Sequence, residues 1–475
     1  MFEISPYCWE IPRTGKMLVP GRVFADRSFI ERADEEKALD QVRNVACLPG
    51  IEMASLAMPD IHWGYGFAIG GVAAFRMEDG VISPGGVGYD IACGVRLIRT
   101  NLLAAEVMGT VPSLINELYG RIPAGVGRHG DIRLNQKEMS QLLMKGAPWV
   151  IEQGFGRRED IEAMEDGGVL EGADPAMVSS RAIERGFGQP GTLGAGNHFI
   201  EVQLVDEIYD EKAAEAYGVF KGQLCIMAHS GSRGLGHQVC SEYIKIMGGA
   251  ASRAGIELPD RQLACAPIQS REGREYYAAM ACAVNFARTN RQVMTHLIRE
   301  SFEYVFRMSA EKLGLDLVYD VSHNLAKFEE HGGEGEKKRL CVHRKGATRS
   351  FPAGHPEVPA RYRSVGQPVI VPGDMGTASY LLKGTEKAMA ESFGSTCHGA
   401  GRVMGRRAAR KVINGHELKA RLEARGITVR TGKTSALAEE APEAYKDIDK
   451  VVAVCHEVGL SLKVARLRPM GVIKG

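Results

Sequence analysis

Gly85-Gly86-Val87-Gly88-Tyr89-Asp90-Ile91-Ala92-Cys93-Gly94-Val95-Arg96 is the stretch on which the reading of this chain turns. Four glycines, an acid and a thiol sit in a strand-like apolar context. Glycine inside a strand weakens it and marks a bend or a close approach of backbone to a ligand. Asp90 and Cys93 reach one point if the chain turns there. A carboxylate beside a thiolate suits a divalent ion of borderline softness, zinc or manganese. Read alone, the stretch equally fits a buried structural cysteine and a turn-capping aspartate, since free cysteine is among the most buried residue types.

Upstream, the pattern predicts an amphipathic helix over Glu35 to Cys47, a turn at Met58-Pro59-Asp60-Ile61-His62 and a buried strand over Phe67 to Phe75. Asp60 and His62 alternate along an extended segment, as ligands, supporting groups or a hydrogen-bonded pair. Downstream, Ile91 to Ile98 reads as a strand and Leu102 to about Gly186 as mostly helical. Strands are predicted at Leu224 to Ala228, Leu315 to Val321 and Val369 to Val371. The longest helical run, Arg274 to Met308, contains neither Gly nor Pro. His331 to Lys338 reads as a short polar loop, and a basic helix is expected over Val403 to Val412. Strands and helices mix irregularly, which points to an α+β fold. Candidate ligands run from residue 90 to residue 398, so one large domain over 1–475, with a β-sheet core carrying the site, fits better than two.

Composition narrows the class. The 475 residues carry a net charge of +1, so any nucleic-acid contact needs local basic patches. The ten cysteines form no CxxC pair, as expected of reduced intracellular thiols. The start of the sequence has no signal-peptide pattern and no apolar stretch approaches a membrane span, so a cytoplasmic protein without a membrane partner is expected.

His198, His229 and His323 each stand beside a predicted strand, where loops held by a sheet concentrate binding groups. Singly, each is as well read as a core histidine; together with Asp90 and Cys93 they form a donor set for Zn²⁺ or Mn²⁺. His398 differs, being followed by Gly399-Ala400-Gly401-Arg402 and the expected helix start. That order suggests an anion site of helix N–H groups with Arg402 as a phosphate donor. Gly432-Lys433-Thr434 does not complete a phosphate-binding GxxxxGK[ST] loop, because Gly426 lies one residue too early.

The motifs Gly-Gly-Val-Gly-Tyr-Asp-Ile-Ala-Cys-Gly-Val-Arg, Gly-Ala-Gly-Asn-His-Phe, Ala-His-Ser-Gly-Ser-Arg-Gly, Ser-His-Asn and Cys-His-Gly-Ala-Gly-Arg resemble the RtcB family of tRNA-splicing RNA ligases. The resemblance spans nearly the whole chain. It implies two Mn²⁺ ions sharing Cys93, one completed by His198 and His229, the other by Asp90 and His323. It implies GTP as donor of a GMP carried covalently by His398. Glu201, Ser379, Tyr445 and Lys474 would hold guanine, with Tyr445 stacking on the base, and Asn197, Ala400 and Gly401 would contact phosphate. RNA would be the partner, with Arg185, Arg233, Lys345 and Arg349 as candidate phosphate contacts and an archease-type activator left open. Two other classes remain: a dinuclear metallophosphoesterase acting on RNA cyclic phosphate ends, and a non-catalytic RNA-binding scaffold.

Overall fold

The computed structural model describes residues 1–31, 36–332 and 337–475. Two mixed sheets and a set of helices form a single α+β domain. The larger sheet orders its strands Asp316–Ser322, Gly94–Leu103, Gln223–Ser230, Phe199–Ile208, Ser461–Lys474, Ser379–Gly384 and Pro368–Val371, with Thr428–Thr431 paired to Ser461–Lys474. All neighbours are antiparallel except that last pair. The smaller sheet contains Ser55–His62, Ile69–Arg76, Lys338–Lys345 and Asn324–His331 at one end.

Side-chain alternation explains why the larger sheet is covered on both faces. Along Gly94–Leu103, Val95 and Leu97 join one apolar cluster with Tyr319, Phe351 and Tyr362. Ile98 joins another on the opposite face with Ile115, Met294 and Phe302. The 36-residue helix Arg271–Phe306 lies on that second face and is buried along most of its length. It therefore carries polar side chains into the interior, and these must be paired. Arg291 does so by donating to both carboxylate oxygens of Asp320, at 2.8 and 2.6 Å. Arg96 donates to the same carboxylate at 2.5 Å. The two guanidiniums hold Asp320 well below the usual carboxylate range. A third apolar cluster joins the sheets, bringing Leu56 and Val72 of the smaller against Val369 and Leu382 of the larger.

Four expectations change. Met58–His62 is the end of a strand, not a turn. Pro59 is tolerated because the ladder to Ile69–Arg76 is interrupted between Ala57 and His62, and proline in a sheet sits where no ladder bond is needed. The basic helix starts at Arg406, not Val403. Arg402 forms an isolated antiparallel bridge with Tyr445, which keeps the chain extended there. His331 and Lys338, read as bounds of a loop, are paired strand residues of the smaller sheet, and 333–336 lie outside the described residues. The helix read from Glu35 is described from Glu36 to Val45, Glu35 lying outside the described residues.

Candidate metal centre and nucleotide pocket

Strand register gathers the ligand candidates. Gly94 pairs with Ser322 on one side and Ser230 on the other, and His229 pairs with Phe199. Cys93, His198 and His323 each lie one residue beyond a paired strand end, and His229 is the penultimate residue of its strand. In antiparallel neighbours the start of one strand meets the end of the next, so all four arrive at one end of the sheet. Lys474, paired with Phe199, arrives there too.

Donor atoms of Cys93, His198 and His229 lie within 4.8 Å of one another, and all three residues are buried. Cys93 Sγ is 3.3 Å from His198 Nε2 and 3.1 Å from His229 Nε2. Asp90 Oδ2 is 2.8 Å from His198 Nε2, and His323 Nε2 is 3.4 Å from His229 Nε2. Burial drives the His229 and His323 rings well below the usual histidine range, which keeps them neutral and able to ligate. His198 Nδ1 faces the Leu193 carbonyl at 3.0 Å, an acceptor that would hold the ring proton there when Nε2 serves as a metal ligand. Arg233 Nη1 also lies 3.0 Å from this Nδ1; both contacts cannot be donations, and the carbonyl is the better match for an N–H. Burial and Asp90 push the Cys93 thiol up, so its thiolate needs a nearby cation. Convergent imidazole nitrogens, a sulfur and a carboxylate fit a divalent ion of borderline softness.

The ligand loop is braced from behind. Arg291 Nη1 donates to the carbonyls of Ala92 and Ser230, at 2.8 and 3.1 Å. Ala92 adopts φ +51°, a strained value for a residue with a Cβ, and Cys93 N–H closes the turn onto Asp90 O. Close packing also fixes Gly231, where a Cβ would come within 2.4 Å of Asp90 Oδ1.

His398 enters from the neighbouring two-stranded ladder and stands with its ring 5.2 Å from that of His323. Sequence reasoning left the role of Asp60 open; its fully buried carboxylate organises this histidine. Oδ2 accepts from His398 Nδ1 at 2.5 Å, from His398 N–H at 2.9 Å and from Gly399 N–H at 3.3 Å. Nδ1 is thereby the protonated nitrogen and Nε2 carries the free lone pair. No local pattern announces this pair, because the two residues are 338 positions apart. Gly401, at φ +72°, packs against the Asp60 backbone, where a Cβ would come within 2.2 Å of its carbonyl oxygen. The loop from His398 to Gly405 is irregular, so no helix N-terminus stands behind the histidine. Arg402, expected to add a phosphate donor there, instead bonds Glu440 and Tyr445 and lies 4.8 Å over the Tyr445 ring.

The nucleotide candidates make two sets of polar contacts, one through Gln203 and one through Glu440. Gln203 Nε2 donates to Glu201 at 2.8 Å and to Ser379 Oγ at 3.2 Å. Lys474 Nζ is 4.0 Å from Glu440, which accepts from the Tyr445 hydroxyl. Burial raises the Glu201 carboxyl to about 8. Ala400 and Gly401 are buried and Asn197 is half-buried beside His198. Gln203 and Glu440 belong to these contacts without a motif that singles them out, and Arg402, singled out for phosphate, joins them through Glu440 and Tyr445.

The candidate RNA contacts separate. Arg185 is exposed and bonds Gln238 at 2.9 Å, and Arg233 borders the cluster at His198. Lys345 is buried, donating to the carbonyls of Tyr65 and Phe67. Arg349 is buried between Asp166, Glu357 and Gln367. Neither of these two presents its charge at the surface.

A family model described as "tRNA-splicing ligase RtcB" matches residues 41–475 of this sequence. The chain belongs to the RtcB family. Proteins named tRNA-splicing ligase RtcB from Thermococcus kodakarensis and Archaeoglobus fulgidus are 55% and 53% identical to it, each alignment covering 100% of this chain and 98% of the relative. The protein of that name from Methanococcus maripaludis is 52% identical, over 100% of this chain and 99% of the relative. Among the described residues, no helix is long and apolar enough to cross a membrane.

Proposed function

We propose that this RtcB-family protein is an RNA ligase that joins 2′,3′-cyclic phosphate or 3′-phosphate ends to 5′-hydroxyl ends, using GTP and Mn²⁺. The observation that carries the reading is the pairing of Asp60 with His398 Nδ1 at 2.5 Å, which leaves Nε2 free beside the donor cluster. Cys93, His198 and His229 would hold one divalent ion and Asp90 and His323 a second sharing Cys93; when bound, such ions neutralise charge on phosphate oxygens.

His398 Nε2 attacks the α-phosphorus of GTP, forming a P–N bond as the bond to pyrophosphate breaks. Asp60 holds the Nδ1 proton and stabilises the positive charge that the ring gains. A cyclic RNA end is first opened by water to a 3′-phosphate. An oxygen of that phosphate then displaces His398 from the GMP phosphorus, giving an RNA 3′-diphosphate-guanosine. The 5′-hydroxyl of the other RNA attacks the activated 3′-phosphorus and GMP leaves. Glu201, Ser379 and Lys474 orient the guanine, Tyr445 stacks on it once Arg402 yields its face, and Asn197 with the Ala400–Gly401 backbone contacts phosphate. Arg185 and Arg233 meet RNA phosphates. Joining of tRNA halves is the cellular role implied by the names of the relatives. The family resemblance extends to an archease-type activator, and the composition to a cytoplasmic location.

The test is incubation with Mn²⁺ and GTP labelled at the α-phosphate, followed by denaturation. The protein should retain covalent label and His398→Ala should not, while still sealing RNA that already carries a 3′-diphosphate-guanosine end. A phosphoesterase would open cyclic ends without taking up label, and label on His398→Ala would overturn the assignment.

A further inference from the structure

The loop Trp63-Gly64-Tyr65-Gly66-Phe67 joins the strand that carries Asp60 to its neighbour Ile69–Arg76. Trp63 is 61% exposed, whereas the chain's other two tryptophans, Trp9 and Trp149, are buried. Such exposure normally goes with a mobile loop, but this backbone is fastened at Gly64, Tyr65, Gly66 and Phe67. The Gln41 amide brackets Gly64, accepting from its N–H at 3.0 Å and donating to its carbonyl at 2.7 Å. Gly66 N–H donates to Gln262 Oε1 at 3.0 Å. Lys345 donates to the carbonyls of Tyr65 and Phe67. An interior lysine is thus engaged in holding a surface aromatic loop in one shape.

The aromatic surface continues toward the donor cluster. The Tyr65 ring meets Tyr89 edge-on, with centroids 5.6 Å apart. Tyr89 is stacked on His237 at 6.1 Å. Tyr89 and His237 are both exposed, and Tyr89 directly precedes Asp90. Arg185 and Arg233 lie within electrostatic reach of His237. Trp63, for its part, follows His62, whose Nδ1 faces the Arg402 backbone N–H in the loop beyond His398. The loop therefore starts on the His398 side of the site and leads through Tyr65 to the Asp90 side.

We propose that Trp63, Tyr65, Tyr89 and His237 form a stacking platform for unpaired bases at the end of a single-stranded RNA, with Arg185 and Arg233 meeting its phosphates. Every base has a π-face, so stacking grips RNA ends of any sequence. A chain with net charge +1 lacks the broad positive field that phosphate contacts alone would require, and stacking supplies affinity that charge does not. Rigid aromatic side chains on a fastened loop lose little entropy on binding. This assignment rests on the RNA ligase reading.

The probe is a single-stranded oligoribonucleotide with a 3′-phosphate, set against an abasic oligomer of the same length and charge. Trp9 and Trp149 are buried away from bound RNA, so an RNA-dependent fluorescence change that is absent in Trp63→Phe reports on Trp63. The oligoribonucleotide should shift that fluorescence and the abasic oligomer should not. Trp63→Ala and Tyr89→Ala should each raise the RNA Kd by about tenfold or more, as expected for loss of one stacked base, and Trp63→Phe should restore most of it. Covalent uptake of guanylate from GTP, read separately, should persist in Trp63→Ala. Equal affinity for the two oligomers, or an RNA Kd for Trp63→Ala within twofold of the parent, would overturn the platform. Failure of the parent to take up guanylate while RNA still shifts its fluorescence would instead sink the ligase reading and leave the platform standing.

Discussion

Replacing Asp60 with asparagine tests the nucleophile assignment without changing the size of the side chain. The carboxylate is fully buried and its Oδ2 serves three N–H donors, His398 Nδ1 among them at 2.5 Å. A hydrogen bond to a charged group contributes about 1.5–3 kcal/mol and a neutral one about 0.5–1.5. Asparagine keeps an acceptor oxygen, so the bond to His398 alone loses about 1–1.5 kcal/mol, close to tenfold in rate. The loss grows as Nε2 bonds to phosphorus, because the ring then becomes cationic and no carboxylate faces it. The amide N–H₂ can also donate to Nδ1, placing the proton on Nε2 and removing the attacking lone pair. In serine hydrolases the corresponding exchange costs about 10⁴ in kcat, and that sets the upper bound. Guanylate uptake by Asp60→Asn, followed as covalent label from α-labelled GTP in single turnover, should therefore be slowed between about tenfold and 10⁴-fold. Melting temperature and Mn²⁺ binding serve as controls for folding. Uptake within threefold of the parent by a folded variant would refute the view that Asp60 sets the tautomer of His398.

Cys93→Ala should fold but lose most bound Mn²⁺, measured by metal analysis after gel filtration; full occupancy would remove the shared thiolate from the site. Glu201 is raised to about 8 by burial, against an ordinary value near 4.5, so its native-state cost is absent below pH 4.5 and develops as pH rises through 8. Glu201→Gln should accordingly gain stability relative to the parent between pH 5 and 8.5, by a few kcal/mol at most, in paired denaturant titrations. A gap between the two that does not change with pH would contradict this. Asp320→Ala leaves Arg96 and Arg291 buried without their carboxylate and should cost about 3–5 kcal/mol in urea unfolding. A loss below 1 kcal/mol would mean the two arginines find other partners.

Periodicity located strands beside His229 and His323 and the long helix, because those segments are buried and mostly apolar or keep an unbroken helical pattern. It failed where a tertiary contact overrides local preference. Pro59 reads as a turn former, yet a gap in the ladder lets it lie within a strand. Gly399-Ala400-Gly401 reads as the lead into a helix, yet the Arg402–Tyr445 bridge holds the chain extended beyond it. The candidate metal ligands stood out as a family pattern but not by spacing, since the register that gathers Cys93, His198 and His229 belongs to strands distant in sequence. Asp60 was visible only as half of an ambiguous pair with His62; its real partner is His398. Lys345 and Arg349 were named as candidate RNA-phosphate contacts, and burial against carbonyls and carboxylates is something composition does not record.

The strand Ser461–Lys474, latest in the sequence, lies in the middle of its sheet between Phe199–Ile208 and Ser379–Gly384. Until it is synthesised, both neighbours present unpaired inner edges to solvent, the form of backbone that templates aggregation. Lys474 reaches the site only when this insertion is complete. The candidate nucleotide site is therefore completed by the same event that seals the sheet. A nascent chain that stalls before residue 461 carries Cys93, His198, His229 and His398 but exposes two sticky edges. Synthesis, not only sequence, thus decides when the enzyme becomes competent and when it most needs a chaperone.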